Sequence, residues 1–216
     1  MQITIFGATG KVGKQLILHS LARGWKVVAF GRNIDEWIDK DLNSNDFKAV
    51  KGYIFDAGNV SKALKGSDAV LSALGGALDG KDKSRSLGMK NIVTQMEKHG
   101  PKRIVALGGL GVLDASDGSG PLFQQEDYPK EYVAVGFEHF EAYSFLKESS
   151  LDWTFVCSPN IIEQDSDGKM DVVTEAPAPN FEISSGNLGL YMTQAIANDS
   201  NIKERVGIGN KLPSNE

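Results

Sequence analysis

Cysteine is all but missing from this 216-residue chain. Cys157 is the only one, so no intrachain disulfide can form and a cysteine-built metal site is excluded. Clusters of positive charge are missing too. The 23 lysines and arginines are interleaved with 28 acids, for a formal net charge of −5. That excludes the broad basic face on which general nucleic-acid binding depends. No apolar run approaches the ~20 residues that span a bilayer. Nor does a basic segment with an apolar signal core open the chain, because Met1-Gln2-Ile3-Thr4-Ile5-Phe6 already reads as a strand. Together these absences predict a cytoplasmic protein with no nucleic-acid or membrane partner and no metal.

What the chain has is alternation. Short apolar runs alternate with amphipathic segments, the pattern of a parallel sheet covered by helices. Strands are expected at Ile3–Phe6, Lys26–Phe30, Ala49–Phe55, Ala69–Leu74, Arg103–Leu107 and Trp153–Cys157. Helices are expected at Val12–Arg23, Ile34–Lys40, Val60–Lys65, Arg85–His99 and Glu131–Ser149. Further on, Asp171–Val173 and Arg205–Ile208 read as strands, Asn187–Ala197 as a helix and Lys211–Glu216 as a frayed end. Glycine is abundant, at 24 residues, where ~7% is usual. Gly24, Gly66 and Gly100 follow helical segments, where a left-handed cap is common, and Pro101 stops the fourth helix. Two long loops, Gly75–Ser84 and Gly109–Lys130, have the length of functional segments. The length predicts a single domain over residues 1–216.

The sharpest motif is Gly7-Ala8-Thr9-Gly10-Lys11-Val12-Gly13, set between the first strand and the first helix. Gly7 permits a tight turn, Gly10 lets the backbone reach a pyrophosphate, and Gly13 lets helix and sheet approach. Free N–H groups near Lys11 and Val12 would then face phosphate oxygens at a helix N-terminus. The motif reads as a dinucleotide site, the alternative being a glycine-rich turn without a ligand. Its second strand ends Val28-Ala29-Phe30-Gly31-Arg32-Asn33, and acids arrive only later, at Asp35 and Glu36. An acid near the strand end would read the ribose hydroxyls of NAD, whereas an arginine clamps the 2′-phosphate of NADP. Arg32 therefore points to NADP, with Lys11 and Asn33 in support, unless it is only a solvated loop cation.

The chain resembles the atypical short-chain dehydrogenase/reductases, in the branch of NmrA-like proteins and biliverdin reductase B/flavin reductase. The resemblance rests on the glycine motif and on Asp68-Ala69-Val70-Leu71-Ser72-Ala73-Leu74-Gly75. It continues through Lys102-Arg103-Ile104-Val105 and through Leu146–Thr154 into Ser158-Pro159-Asn160. It implies a Rossmann-like, doubly wound α/β fold, with a short C-terminal region from about residue 160 on the substrate side. It also implies cofactor contacts at Arg32, Tyr53, Ile54, Leu74, Gly75, Gly108, Ser158, Pro159 and Ile161. Tyr53 departs from the aspartate common in relatives; it either stacks on adenine or belongs to the core.

The Ser, Tyr and Lys of classical members are missing. Tyr143–Lys147 has the right spacing, but Lys147 stands only twelve residues before Pro159, where relatives leave about twenty. In register, Val135 takes the tyrosine position, His139 the lysine position, and Gly108 or Gly109 the serine position. Val135, His139, Ala142 and Leu146 share a helix face. His139 is thus a candidate proton donor or substrate ligand near neutral pH, or a half-buried structural histidine. Tyr143 carries the same alternatives. Asn160 falls where the resembled branch has a histidine beside the nicotinamide. Phe123, Tyr128 and Tyr132 either stack on a substrate or pack.

Without the triad, a ketone would leave an alkoxide with no acid nearby. A flavin, quinone or tetrapyrrole spreads its own charge. The expected function is an NADPH-dependent reductase of such a small-molecule acceptor. The alternative is a non-catalytic, redox-sensing NADP binder of the NmrA-like type, acting on a protein partner. An epimerase or dehydratase is disfavoured by the same missing pair.

Overall fold

The computed structural model describes residues 1–37 and 45–212. In chain order the strands are β1 (Gln2–Phe6), β2 (Lys26–Gly31), β3 (Phe47–Lys51), β4 (Ala69–Ser72) and β5 (Arg103–Gly109). They continue with β6 (Asp152–Ser158), β7 (Asn160–Ile162), β8 (Met170–Thr174), β9 (Glu182–Ser184) and β10 (Glu204–Asn210). The helices are α1 (Lys11–Ala22), α2 (Ile34–Trp37), α3 (Ala57–Leu64), α4 (Ser86–His99), α5 (Lys130–Lys147) and α6 (Ser185–Ala197). Eight strands form one sheet in the order β3-β2-β1-β4-β5-β6-β10-β8, and β7 pairs with β9 apart from it. Every pair in the large sheet is parallel except β10–β8.

This is a doubly wound, Rossmann-like α/β fold. Alternate side chains of the buried strands feed two cores, as the period of two demands. Ile3 and Ile5 pack with Leu16 and Ile17 of α1 and with Leu188 and Met192 of α6. Phe6, Ile104 and Phe155 face the other way, onto Val60, Met89, Ile92 and Leu146 of α3, α4 and α5. Each such side chain, once buried, stabilises the fold by about 1.5–3 kcal/mol. The strand order reverses between β1 and β4, which opens a crevice at their carboxyl ends, where such sheets bind ligands.

Several elements differ from expectation. The third strand is shifted, running Phe47–Lys51 rather than to Phe55. Tyr53–Asp56 turns instead: Asp56 N–H donates to the Tyr53 carbonyl at 3.0 Å, and Asp56 caps α3 by accepting from Asn59 N–H at 2.7 Å. The fourth strand stops at Ser72. Gly24 and Gly66 have φ of +71° and +78°, as a left-handed cap requires. Gly100 does not; it is extended at φ −99°, ψ −176°, because Pro101 disfavours helical geometry in the residue before it. The helix expected at Ile34–Lys40 is described only as far as Trp37, and Lys211–Glu216 only as far as Leu212. Strands β7 and β9 escaped the sequence pattern, being three residues each.

The long loop after β5 is not structureless. Leu113–Leu122 closes a small hairpin through an Asp114–Pro121 bridge. Arg205 of β10 pins it, donating to the Val112 carbonyl at 2.8 Å and to Asp114 at 2.7 Å. No helix among the described residues is long and apolar enough to cross a membrane.

Candidate active site

The carboxyl edge of the sheet gathers most of the residues singled out in the sequence. Gly7 bends back at φ +75°, and a Cβ there would lie 2.2 Å from the Ala73 carbonyl oxygen. The turn after β1 is thereby seated on the end of β4. A Cβ at Gly13 would lie 2.1 Å from the Gly7 oxygen, so α1 closes onto the strand only with glycine there. A Cβ at Gly10 would meet nothing nearer than that oxygen, at 3.5 Å, and the space above the helix end is open. Gly10 is the N-cap of α1 and offers no side-chain bond to its first turn. The N-terminal N–H groups of Lys11 and Val12 therefore face outward with the positive end of the helix dipole behind them. Ala8 is buried beneath this turn and Thr9 is exposed on it.

Arg32 stands exposed in the turn after β2. Asp35, the first acid beyond it, is paired with Lys51 of β3 at 3.3 Å. Lys11 pairs with Glu163, just past β7, at 3.4 Å. Tyr53 is 64% exposed, which removes the core alternative and leaves its ring available to a purine face. Ile54 is half-buried: with Leu74 it lies against Gly88 of α4, and its carbonyl accepts from Asn91 at 2.7 Å. Gly75 has nothing within 4 Å of an added Cβ, so the floor beyond β4 is clear.

Beyond Gly75 the loop is braced by Arg85, which is buried at the start of α4. Its guanidinium donates to the carbonyls of Gly76 at 2.8 Å and Ala77 at 2.9 Å. Buried Glu138 ties the same loop to α5, accepting from Ser86 at 2.6 Å and pairing with Lys83 at 2.5 Å. Neither Arg85 nor Glu138 was singled out in the sequence. A buried charge shows itself only when its surroundings are known.

The serine position is closed. A Cβ on Gly108 would lie 2.1 Å from the Phe155 ring, and one on Gly109 would lie 2.9 Å from the ring of His139. His139 therefore reaches the end of β5 and occupies space where a hydroxyl would stand. Burial, and secondarily the charge of Arg85, push its pKa down to about 3. This corrects the expectation of a histidine that exchanges protons near neutral pH: the imidazole is neutral there. Among the described residues no hydrogen bond involves its ring nitrogens.

Tyr143 does not join this site. It lies one turn further along α5, with its ring 5.7 Å from Trp153 and 5.5 Å from Phe155, near the start and middle of β6. Arg205 and Lys147 lie over the same ring at 5.2 Å and 5.8 Å. Burial pushes its phenol up, away from acid duty at neutral pH. With Lys147 it lines a separate cavity of about 490 Å³, shared with Asp114, Phe140 and Arg205. The physical reason is helical register: His139 and Tyr143 share a face but stand a full turn apart.

Ser158 is buried and donates to the Gly108 carbonyl at 3.2 Å, locking β6 to β5 at the edge. Pro159 and Ile161 are half-buried beyond it, and Asn160 is exposed. Among the aromatic residues of the long loop, Phe123 is packed at 4.8 Å from Phe137 and 5.5 Å from Phe140, so it is core. Tyr128 is half-buried against Gly111, and Tyr132 is 45% exposed.

Comparison with known proteins agrees with this geometry. Residues 7–199 match the family model described as NAD(P)H-binding. The uncharacterized protein YwnB of Bacillus subtilis (strain 168) is 25% identical over 158 residues, covering 72% of this chain and 70% of its own. A structure from Streptococcus pneumoniae, named a "putative NADH-flavin reductase", superposes with a TM-score of 0.81 at 22% identity, over 98% of this chain and 100% of the other. A short-chain dehydrogenase/reductase from Veillonella parvula, in complex with NADP, superposes with a TM-score of 0.77 at 18% identity, over 97% and 94%. Fold, glycine turn and family model coincide, and the chain belongs to the NAD(P)H-binding family.

Proposed function

We propose that this protein is an NADPH-dependent reductase of conjugated acceptors such as flavins, quinones or tetrapyrroles. One observation carries the reading: the glycine turn and helix end suited to a dinucleotide stand open, yet among the described residues none of the three positions of the classical Ser, Tyr and Lys holds a proton donor. Gly108 and Gly109 offer no hydroxyl, Val135 replaces the phenol, and His139 is held neutral. Hydride passes from the nicotinamide to the acceptor, and the acceptor takes its proton from water as NADP⁺ forms. For a quinone this gives the hydroquinone; for a flavin, the dihydroflavin. Such acceptors need positioning more than acid catalysis.

Two features support the phosphorylated cofactor. Arg32 stands free of the sheet at the end of β2, and Asp35 is turned toward Lys51, away from a role in reading ribose hydroxyls. The likeness to a structure named for NADH–flavin reduction is consistent with the acceptor, and the likeness to one in complex with NADP is consistent with the cofactor. The test is turnover of NADPH with riboflavin, a benzoquinone and cyclohexanone. Oxidation with the first two and none with the ketone is expected. Ketone reduction that disappears in His139→Ala would overturn it. Tight NADPH binding with no oxidation by any acceptor would replace it with the NADP-sensing alternative.

A further inference from the structure

Phe181 is the most exposed large apolar side chain among the described residues, at 65%. It stands immediately before β9, and its carbonyl accepts from Asn160 N–H at 3.2 Å. It therefore sits on the rim of the carboxyl edge, beside the first residue after the Ser158-Pro159 corner. An aromatic ring exposed to water is unfavourable, and a single exposed one needs no explanation by itself. Its backbone, however, is held with unusual firmness for a surface loop. Asn180 donates to the Asn210 carbonyl at 3.0 Å and accepts from Glu182 N–H at 3.1 Å. The Asn180 carbonyl lies 2.4 Å from where a Cβ on Gly209 would be, so the loop rests directly on β10. Ser184, three residues on, donates its N–H to Asn210 Oδ1 at 3.1 Å, and buried Asn187 donates to the same oxygen at 3.0 Å.

The loop after β4 and the start of α5 also present apolar surface. Leu78, in the loop braced by Arg85, is 53% exposed, and Tyr132 at the start of α5 is 45% exposed. Gly80 of that loop abuts Ala134, which keeps loop and helix together. The strand ends themselves are open, with Gly75 clear and Asn160 exposed. Phe181 thus presents an exposed aromatic ring on a firmly held backbone beside Asn160.

We propose that Phe181 is the wall on which the flat ring system of the acceptor stacks when it lies over the nicotinamide. The inference rests on the reductase reading and names the residue that selects planar acceptors within it. A phenylalanine has only two side-chain torsions to order, so the contact favours binding more than it alters the chemical step. Phe181 contributes no proton and no charge.

The test uses the whole chain loaded with NADP⁺ and riboflavin as the probe, whose binding is read by fluorescence quenching. Phe181→Ala should weaken riboflavin binding and raise its KM on the order of 10-fold, the scale of an aromatic stacking contact. The kcat and the calorimetric affinity for NADP⁺ should stay within about 2-fold, and Phe181→Trp should restore binding. Unchanged riboflavin affinity in Phe181→Ala, or no riboflavin binding by the wild type, overturns the proposal. Binding that depends on Phe181 without NADPH oxidation by any acceptor leaves the wall standing and removes the reductase reading instead.

Discussion

The two edges of the sheet are built on opposite principles. At the amino edge, polar side chains are buried and bonded. Arg103 donates to the carbonyl of Asp152 at 2.9 Å, to Thr154 Oγ1 at 2.9 Å, and to the carbonyls of Ala195 at 2.9 Å and Ser200 at 2.8 Å. It thereby joins β5, β6 and the end of α6. Gln2 and Thr4 bond in the same way to Lys65, Ser67 and Ala63. At the carboxyl edge the side chains are small, open or held neutral: Gly10, Gly75, Asn160 and His139. The amino edge commits its polar groups to the fold, whereas the carboxyl edge braces its loops with Arg85, Glu138 and Ser158 and leaves the strand ends at Gly10, Gly75 and Asn160 open.

The sharpest way to break this comparison is to remove Arg103. Arg103→Met should cost about 1.5–3 kcal/mol or more of stability, because several buried acceptors lose a charged donor, as measured by denaturant unfolding. NADPH affinity of the folded fraction should be unchanged. A stability loss under 1 kcal/mol would show that the amino edge is not the anchor it resembles.

Arg32→Ala is the counterpart at the carboxyl edge. It should weaken NADPH by about 1.5–3 kcal/mol in calorimetric titration, leave NADH nearly unaffected, and leave stability unchanged. Equal loss for both cofactors would mean that Arg32 does not read the 2′-phosphate.

His139 sits on the boundary between the two behaviours. Its pKa is lowered in the folded state to about 3 from an ordinary 6.5, so the unfolded chain binds the extra proton first. Stability is therefore fully present above pH 6.5 and falls as the pH drops from 6.5 toward 3, by up to ~1.4 kcal/mol per unit. His19, also lowered by burial, contributes in the same direction. His139→Gln should flatten the acid side of the stability profile more than His19→Gln does. It should change riboflavin reduction at pH 7 by no more than a few-fold.

The smallest effects belong to the motif that spacing alone made tempting. Tyr143→Phe and Lys147→Ala should leave kcat within about 3-fold, since both residues face the side cavity and the core of β6. A loss of ~100-fold in either, with folding intact, would restore proton donation at that site.

Much of the fold was legible because parallel strands buried on both faces are written as continuous apolar runs, as in Ile104-Val105-Ala106-Leu107. The glycine turn was legible because its spacing is dictated by backbone sterics: Gly7 needs a positive φ, and Gly13 needs the absence of a Cβ. These are local demands, and a linear sequence carries them. The short strands β7 and β9 carry no such periodicity, and Gly100 followed its neighbour Pro101 rather than the helix before it.

The chemistry of the site was decided elsewhere. Nothing local to His139 says that burial in the folded chain, and secondarily the charge of Arg85 far back in the chain, hold it neutral. Nothing local separates Phe123, packed in the core, from Phe181, left open at the rim. Sequence by itself determined where the glycine turn and the open helix N-terminus form, because turn and helix geometry depend on near neighbours. Only tertiary structure decided which side chains are charged, neutral, buried or free, because burial and Coulomb energy depend on neighbours brought together by folding.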